Sequence, residues 1–225
     1  LLAMKLVSRI RDSLRIELSL PTLFNNPTVA GLAKHAGDDA GSATAAIVRC
    51  DRSQPLPLSF AQQRMWFLYL MEPDAATYNV PWAIGLHGHI DPSLLQRAID
   101  ELVQRHESLR TVFANSDDEP VQIVLPQLAV PVEYTRLHNA TDEVVTSALH
   151  ALGHKPFDLQ NGPPLRVTLV DRGDDDYVLL LCMHHIICDG WSHELLFREL
   201  VTLYEGYKHN RQVLMPALPI QYADY

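Results

Sequence analysis

Two adjacent histidines, His184 and His185, stand just ahead of an Asp189-Gly190 pair. Imidazole changes charge near neutrality, so a histidine in a cleft suits proton handling. The aspartate could orient an imidazole, or pair with a buried arginine and hold the turn. The glycine lets the backbone bend closely and leaves an N–H open to a ligand oxygen. Ahead of the pair runs Tyr177 to Cys182, an apolar, β-like segment that follows the acidic turn Asp171 to Asp176. After it comes an amphipathic stretch. The pattern predicts a strand, a turn and a helix, with the histidines where strand gives way to turn. Side chains alternate along a strand. One histidine therefore faces a cleft and the other packs on the far side, and spacing does not say which.

Other chemistry fits these residues less well. A His-x3-Asp spacing suggests metal ligands, but no third ligand is spaced to complete a zinc site. Ser192 lacks a Gly-x-Ser-x-Gly elbow, and Cys188 sits beside Asp189, which disfavours a thiolate nucleophile. A purely structural histidine pair stays open beside a catalytic one.

The elements that must position these residues follow from periodicity. Residues 1–15 read as a helix, with Leu2, Leu6, Ile10 and Leu14 four apart and no cap before it. Thr22 to Phe24 reads as a turn, and Val29 to His35 as a helix capped by Thr28. Residues 37–46 are small and polar and mark a linker. Ala46 to Cys50 reads as a short strand. Ser59 to Glu72 reads as a helix, Ser59 and Gln62 forming a capping box. It is apolar almost all round, which predicts deep burial and makes Arg64 a buried cation in need of a partner. Tyr78 to Ile90 reads as a long strand, followed by a helix that Asp91 caps and Pro92 opens. A hairpin (Thr111 to Leu125), a strand at Val130 to Tyr134, a helix at Asp142 to Leu152, two strands at Leu165 to His184 and a helix at Trp191 to Lys208 complete the order. The fold class is α/β, helices against a mixed sheet.

Composition limits the function. Of 225 residues 47% are hydrophobic, which allows a real core. A net charge of −9 argues against a nucleic-acid surface. Cys50, Cys182 and Cys188 form no CxxC pair, which fits a reducing, cytoplasmic setting. The longest apolar run is far too short to span a bilayer.

The stretch His184-His185-Ile-Ile-Cys-Asp189-Gly190 resembles the HHxxxDG signature of condensation domains of nonribosomal peptide synthetases. Ser59 to Trp66, Arg105 to Phe113 and Ile220 to Tyr225 resemble that family's first, second and fourth motifs, in the same order. Residues 1–36 resemble the end of a peptidyl carrier domain. The resemblance implies three segments: the C-terminal part of a carrier domain (1–36), a linker (37–46) and the N-terminal lobe of a condensation domain (47–225). It implies a chloramphenicol-acetyltransferase-like lobe after the last helices of a carrier bundle. The facing lobe would follow Tyr225. The cofactor implied is 4'-phosphopantetheine on a carrier serine expected immediately before Leu1, with no metal. The partners implied are donor and acceptor carrier domains and neighbouring adenylation domains, with no nucleic acid and no membrane.

The activity implied is amide formation between a carrier-bound donor thioester and the amine of a carrier-bound acceptor. His185 would act at the reacting amine, as base or by positioning, and the Gly190 N–H would hold the thioester oxygen. His184, Asp189, Arg64 and Trp191 would shape the site, with Asp189 paired to Arg64. Both histidines are kept, unlike in cyclisation or degenerate recruitment domains. The wording of the motifs is similar to the class that joins an L-donor to an L-acceptor. An epimerisation domain and a non-catalytic docking domain are the alternatives.

Overall fold

A computed structural model describes residues 2–14, 16, 18–35, 47–117 and 119–225. The linker expected at 37–46 lies outside the described residues. The chain divides into two compact units, 1–47 and 48–225.

Among the described residues the first unit holds three helices, α1 (Leu2–Leu14), α2 (Leu20–Asn25) and α3 (Val29–Lys34). The turn expected at Thr22 to Phe24 is instead helical. The Ser19 side chain accepts the N–H of Thr22, and Pro21 sits in the first turn, where a missing N–H costs nothing. Thr28 caps α3 by accepting the N–H of Gly31.

The second unit holds the histidine pair and, among the described residues, two sheets. In the larger, the order is β2 (Asn79–His87), β7 (Asp176–His184), β6 (Leu165–Gly173), β5 (Val132–Arg136). Pairing is antiparallel except between β5 and β6, so the sheet is mixed as expected. The smaller sheet joins β1 (Leu56–Pro57), β4 (Glu119–Val124) and β3 (Thr111–Ser116), all antiparallel. Residues 47–50, expected as a strand with Ala46, are irregular from 47 on. The β6–β7 hairpin turns at Gly173, Asp174 and Asp175, all with positive φ. Aspartate tolerates that region because its short side chain can bond locally.

The apolar residues of β6 and β7 pack with α5 (Pro92–Arg105) and α7 (Gly190–Lys208) into the main core. Leu95, Ala98, Ile99 and Leu102 of α5 meet Leu196, Leu200 and Leu203 of α7 there, at 3.6-residue spacing on both helices. A second core lies where α4 (Phe60–Met71) meets the end of β7. Trp66 fills it, 2% exposed, against Phe113, Phe157 and Leu159.

Two expectations about α4 fail. Only Gln62 and Trp66 of this helix are buried, while Phe60 is 90% exposed and Phe67 61%. Arg64 is exposed, not buried. An all-round apolar helix implies cover on every side, and within the described residues α4 is covered on one side only.

Candidate active site

Strand β7 delivers the histidine pair and ends between them. His184 is the last β7 residue, opposite Asn79, and His185 begins the turn. Their backbone is clamped on both flanks. The His184 N–H donates to the Pro164 carbonyl at 3.1 Å and the His185 N–H to the Tyr78 carbonyl at 2.9 Å. The two imidazoles part company as strand geometry demands. His184 is buried, with the rings of Phe157 and Tyr78 at 6.1 and 6.4 Å. His185 is exposed and lines a cavity of about 350 Å³.

Hydrogen bonds set opposite tautomers on the neighbours. Nδ1 of His184 accepts the Ile186 N–H at 3.1 Å, so the neutral ring carries its hydrogen on Nε2. Nδ1 of His185 lies 2.8 Å from the Cys188 carbonyl, which can only accept. That bond places the hydrogen on Nδ1 and leaves a lone pair on Nε2. Burial, and secondarily the neighbouring His185, pull the His184 pKa down to about 4. His184 therefore stays neutral as a packing residue.

Asp189 does not pair with Arg64. Its carboxylate caps α7, accepting the N–H groups of Trp191 and Ser192 at 3.1 and 3.0 Å and the Ser192 hydroxyl at 2.7 Å. These bonds, the Ser192 hydroxyl foremost, hold its pKa below the usual carboxylate range. The local cap satisfies the carboxylate, and among the described residues Arg64 makes no ion pair. Both still line the His185 cavity, with Gln62, Met65, Ile187, Ser192 and Tyr222 among the other walls. Trp191 is 69% exposed at the start of α7. Cys188 is buried, and burial together with Asp189 and Cys182 pushes its thiol up to about 12, so it is no nucleophile.

Gly190 is set apart from His185. It lines a second hollow of about 300 Å³ with Val80, Trp82 and His193, at the N-terminus of the 19-residue α7. The Asp189 cap uses the next two N–H groups and leaves that of Gly190 outside it.

The separated motifs are bonded to one another. Ser59, the cap of α4, lies 2.8 Å from the Tyr222 hydroxyl. Arg52 bridges Glu107 and the fully buried carboxylate of Asp224, at 2.8 and 2.7 Å. Gln221 accepts the Glu107 N–H and donates to the Arg105 carbonyl. Glu199 of α7 takes both Arg105, at 3.1 Å, and His106, at 2.6 Å. Residue-by-residue reasoning missed Tyr222 as a cavity wall, because only the fold brings it across 163 positions to Ser59.

Residues 52–225 match the family model of the condensation domain, and residues 1–36 that of the phosphopantetheine attachment site. The chain belongs to the condensation-domain family, with a match to the phosphopantetheine attachment site ahead of it in sequence. It is 44% identical over 225 residues to the dimodular nonribosomal peptide synthase of Bacillus subtilis (strain 168), covering all of this chain and 9% of that protein. It is 39% identical over 233 residues to the malpibaldin synthetase of Mortierella alpina, covering all of this chain and 4% of that protein. The chain thus spans less than a tenth of either relative. Among solved structures, the first condensation domain of the CDA synthetase superposes with a TM-score of 0.69 at 21% identity, over 75% of this chain and 43% of the other. The X-domain from teicoplanin biosynthesis gives 0.72 at 28%, over 80% and 39%. The fold is that of the chloramphenicol-acetyltransferase-like condensation domains.

The cofactor this family implies is phosphopantetheine, and the walls of the His185 cavity suit such an arm. They mix apolar side chains (Met65, Ile187) with a ring acceptor and hydroxyls (His185, Ser192, Tyr222). Among the described residues no group of three or more His, Cys, Asp or Glu could hold a metal ion. No described helix is long and apolar enough to cross a membrane.

Proposed function

We propose that residues 48–225 form one wall of an amide-forming site. A carrier-bound donor acyl thioester would be joined there to the α-amine of a carrier-bound acceptor. The observation that carries this reading is the lone pair of His185 Nε2, fixed by the Cys188 carbonyl, in a cavity where the first, third and fourth motifs meet. Phosphopantetheine supplies the thioester that activates the donor acyl group.

In this reading the acceptor amine donates an N–H to His185 Nε2. A free α-amine has a pKa of about 8, so a useful neutral fraction exists near pH 7 without a strong base, and positioning alone accelerates attack. The N–C bond forms first and places charge on the carbonyl oxygen, the C–S bond then breaks, and the proton lost by nitrogen neutralises the departing thiolate. For the charge developing on the donor carbonyl oxygen we assign the Gly190 N–H, which follows the cavity-lining Asp189, lies outside the cap bonds and opens α7, where the helix dipole adds to it. Asp189 keeps that helix start in place, and His184 packs the strand end beneath His185. We assign the L-donor to L-acceptor class on the wording of the first and third motifs. The partners are donor and acceptor carrier domains, with adenylation domains to load them.

The test is to mix the full-length polypeptide that carries this chain with loaded donor and acceptor carriers and follow intact mass. A dipeptidyl thioester on the acceptor carrier is expected. His185→Ala should lower its rate by about two to four orders of magnitude while carrier binding persists. Inversion at the α-carbon of one carrier-bound residue without condensation would mark an epimerase. Carrier binding with neither reaction would mark a docking domain. Either outcome overturns the proposal.

A further inference from the structure

Tyr222 and Ser59 form a hydroxyl pair at the edge of the His185 cavity, and its hydrogen count has a consequence. The two oxygens lie 2.8 Å apart and share one hydrogen. Ser59 also accepts the Gln62 N–H at 3.3 Å, so its oxygen is already used as the cap of α4. Two hydroxyls carry two hydrogens. One lies between the oxygens. Among the described residues no acceptor is paired with the other. Tyr222 lines the cavity and Ser59 is not among its walls. When Ser59 donates to Tyr222, the Tyr222 hydrogen is left to point into the cavity.

The tyrosine is held ready. Its 3₁₀ turn, Tyr222–Asp224, is closed by Asp224 accepting the Gln221 N–H at 2.7 Å. Asp224 is in turn fixed by Arg52 and by the N–H of Cys50 at 2.9 Å. With Ser59 as the donor of the pair, the cavity offers an acceptor at His185 Nε2 and a donor at Tyr222. An α-aminoacyl group presents the complementary pair, an amine N–H and, three bonds from its nitrogen, a carbonyl oxygen.

We infer that Tyr222, backed by Ser59, donates a hydrogen bond to the carbonyl oxygen of the acceptor aminoacyl thioester while its amine sits at His185. The assignment rests on the condensation reading above and adds to it the wall that recognises the acceptor carbonyl.

The experiment uses the full-length polypeptide, wild type and Tyr222→Phe, with two acceptors on the carrier arm. One is the aminoacyl thioester and the other an aminoalkyl thioether in which CH2 replaces the carbonyl. The higher basicity of the second amine affects both proteins alike and cancels in their ratio. With the thioester, Tyr222→Phe should raise the acceptor KM about threefold to tenfold, the span of one neutral hydrogen bond, with the donor KM unchanged. With the thioether, variant and wild type should be equal. An equal penalty on both acceptors would make Tyr222 merely structural and overturn the inference, as would no penalty on either. A wild-type protein that makes no product from the thioester overturns the condensation reading, and the inference with it.

Discussion

Nδ1 of His185 lies 2.8 Å from the carbonyl oxygen of Cys188, and this contact decides which imidazole nitrogen is offered to the cavity. The neighbouring His184 is held the other way round, with its Nδ1 accepting the Ile186 N–H. Two identical side chains, one residue apart, thus present opposite tautomers. The turn makes this possible, because Ile186 and Cys188 fold back over the strand end within four residues.

The tautomers can be read directly. Long-range nitrogen–proton correlation spectra of the neutral rings should show Nδ1–H for His185 and Nε2–H for His184. Finding Nε2–H on His185 would remove the lone pair from the cavity and with it the basis of the proposed role.

His184 also makes a prediction about acid. Its folded pKa of about 4 lies below the ordinary histidine value of 6.5. Between those values the unfolded chain binds more protons than the folded one, so stability rises with pH through that window and is lost as pH falls through it. The loss is up to about 3 kcal/mol when the shift is fully expressed. His184→Asn, which keeps an acceptor for the Ile186 N–H, should flatten that part of a denaturant-midpoint profile. A slope left unchanged in this variant across the same window would mean that other groups cause it.

Asp189 and Arg64 show what was legible and what was not. The capping box of α4, Ser59 with Gln62, is written in residues three apart, and the structure has it. The same kind of signal was present at Asp189 and Ser192, also three apart and ahead of a helix, and it is the cap that satisfies the carboxylate. Arg64 misled because apolar residues on all sides of α4 imply burial, whereas cover is a property of distant chain. The strand order was hidden for the same reason. Leu56 pairs with Gln122 across sixty-six positions, and no local pattern records that.

Cap and ion pair predict different mutants. Asp189→Ala should cost about 1 kcal/mol through loss of the α7 cap, and Asp189→Asn much less, since asparagine also caps. Arg64→Ala should leave the melting temperature unchanged. A drop with Arg64→Ala that matched Asp189→Ala would restore the ion pair. Thermal unfolding of the three variants decides between them.

The cysteines separate by environment. Cys50 is exposed, while Cys182 and Cys188 are buried, and burial raises both thiols. In the folded protein at mildly alkaline pH a maleimide should label Cys50 and spare the other two until denaturant is added. Rapid native labelling of Cys188, read by peptide mass mapping, would contradict the closed turn around His185.

The last prediction concerns the Arg52 bridge. The Asp224 carboxylate is fully buried and receives Arg52 and the N–H groups of Cys50 and Gln221. Burial alone would raise its pKa, but these bonds outweigh it and leave it lowered. Removing Arg52 strands a buried charge, which costs roughly 3–5 kcal/mol when no water can replace the partner. Arg52 keeps about a fifth of its side chain exposed, so water offsets part of that cost. Arg52→Met should therefore lower stability by about 2–3 kcal/mol at neutral pH, toward the lower end for a paired charge. The deficit should shrink in acid, as protonation of Asp224 removes the stranded charge. It should also loosen the turn that carries Tyr222, so that acceptor KM rises in the same variant. A double variant, Arg52→Met with Asp224→Asn, should recover much of the loss, because it removes the fully buried charge and leaves Glu107 with Arg110 at 4.0 Å. If the double variant is less stable than the single one, the bridge is not what holds the fourth motif against the second.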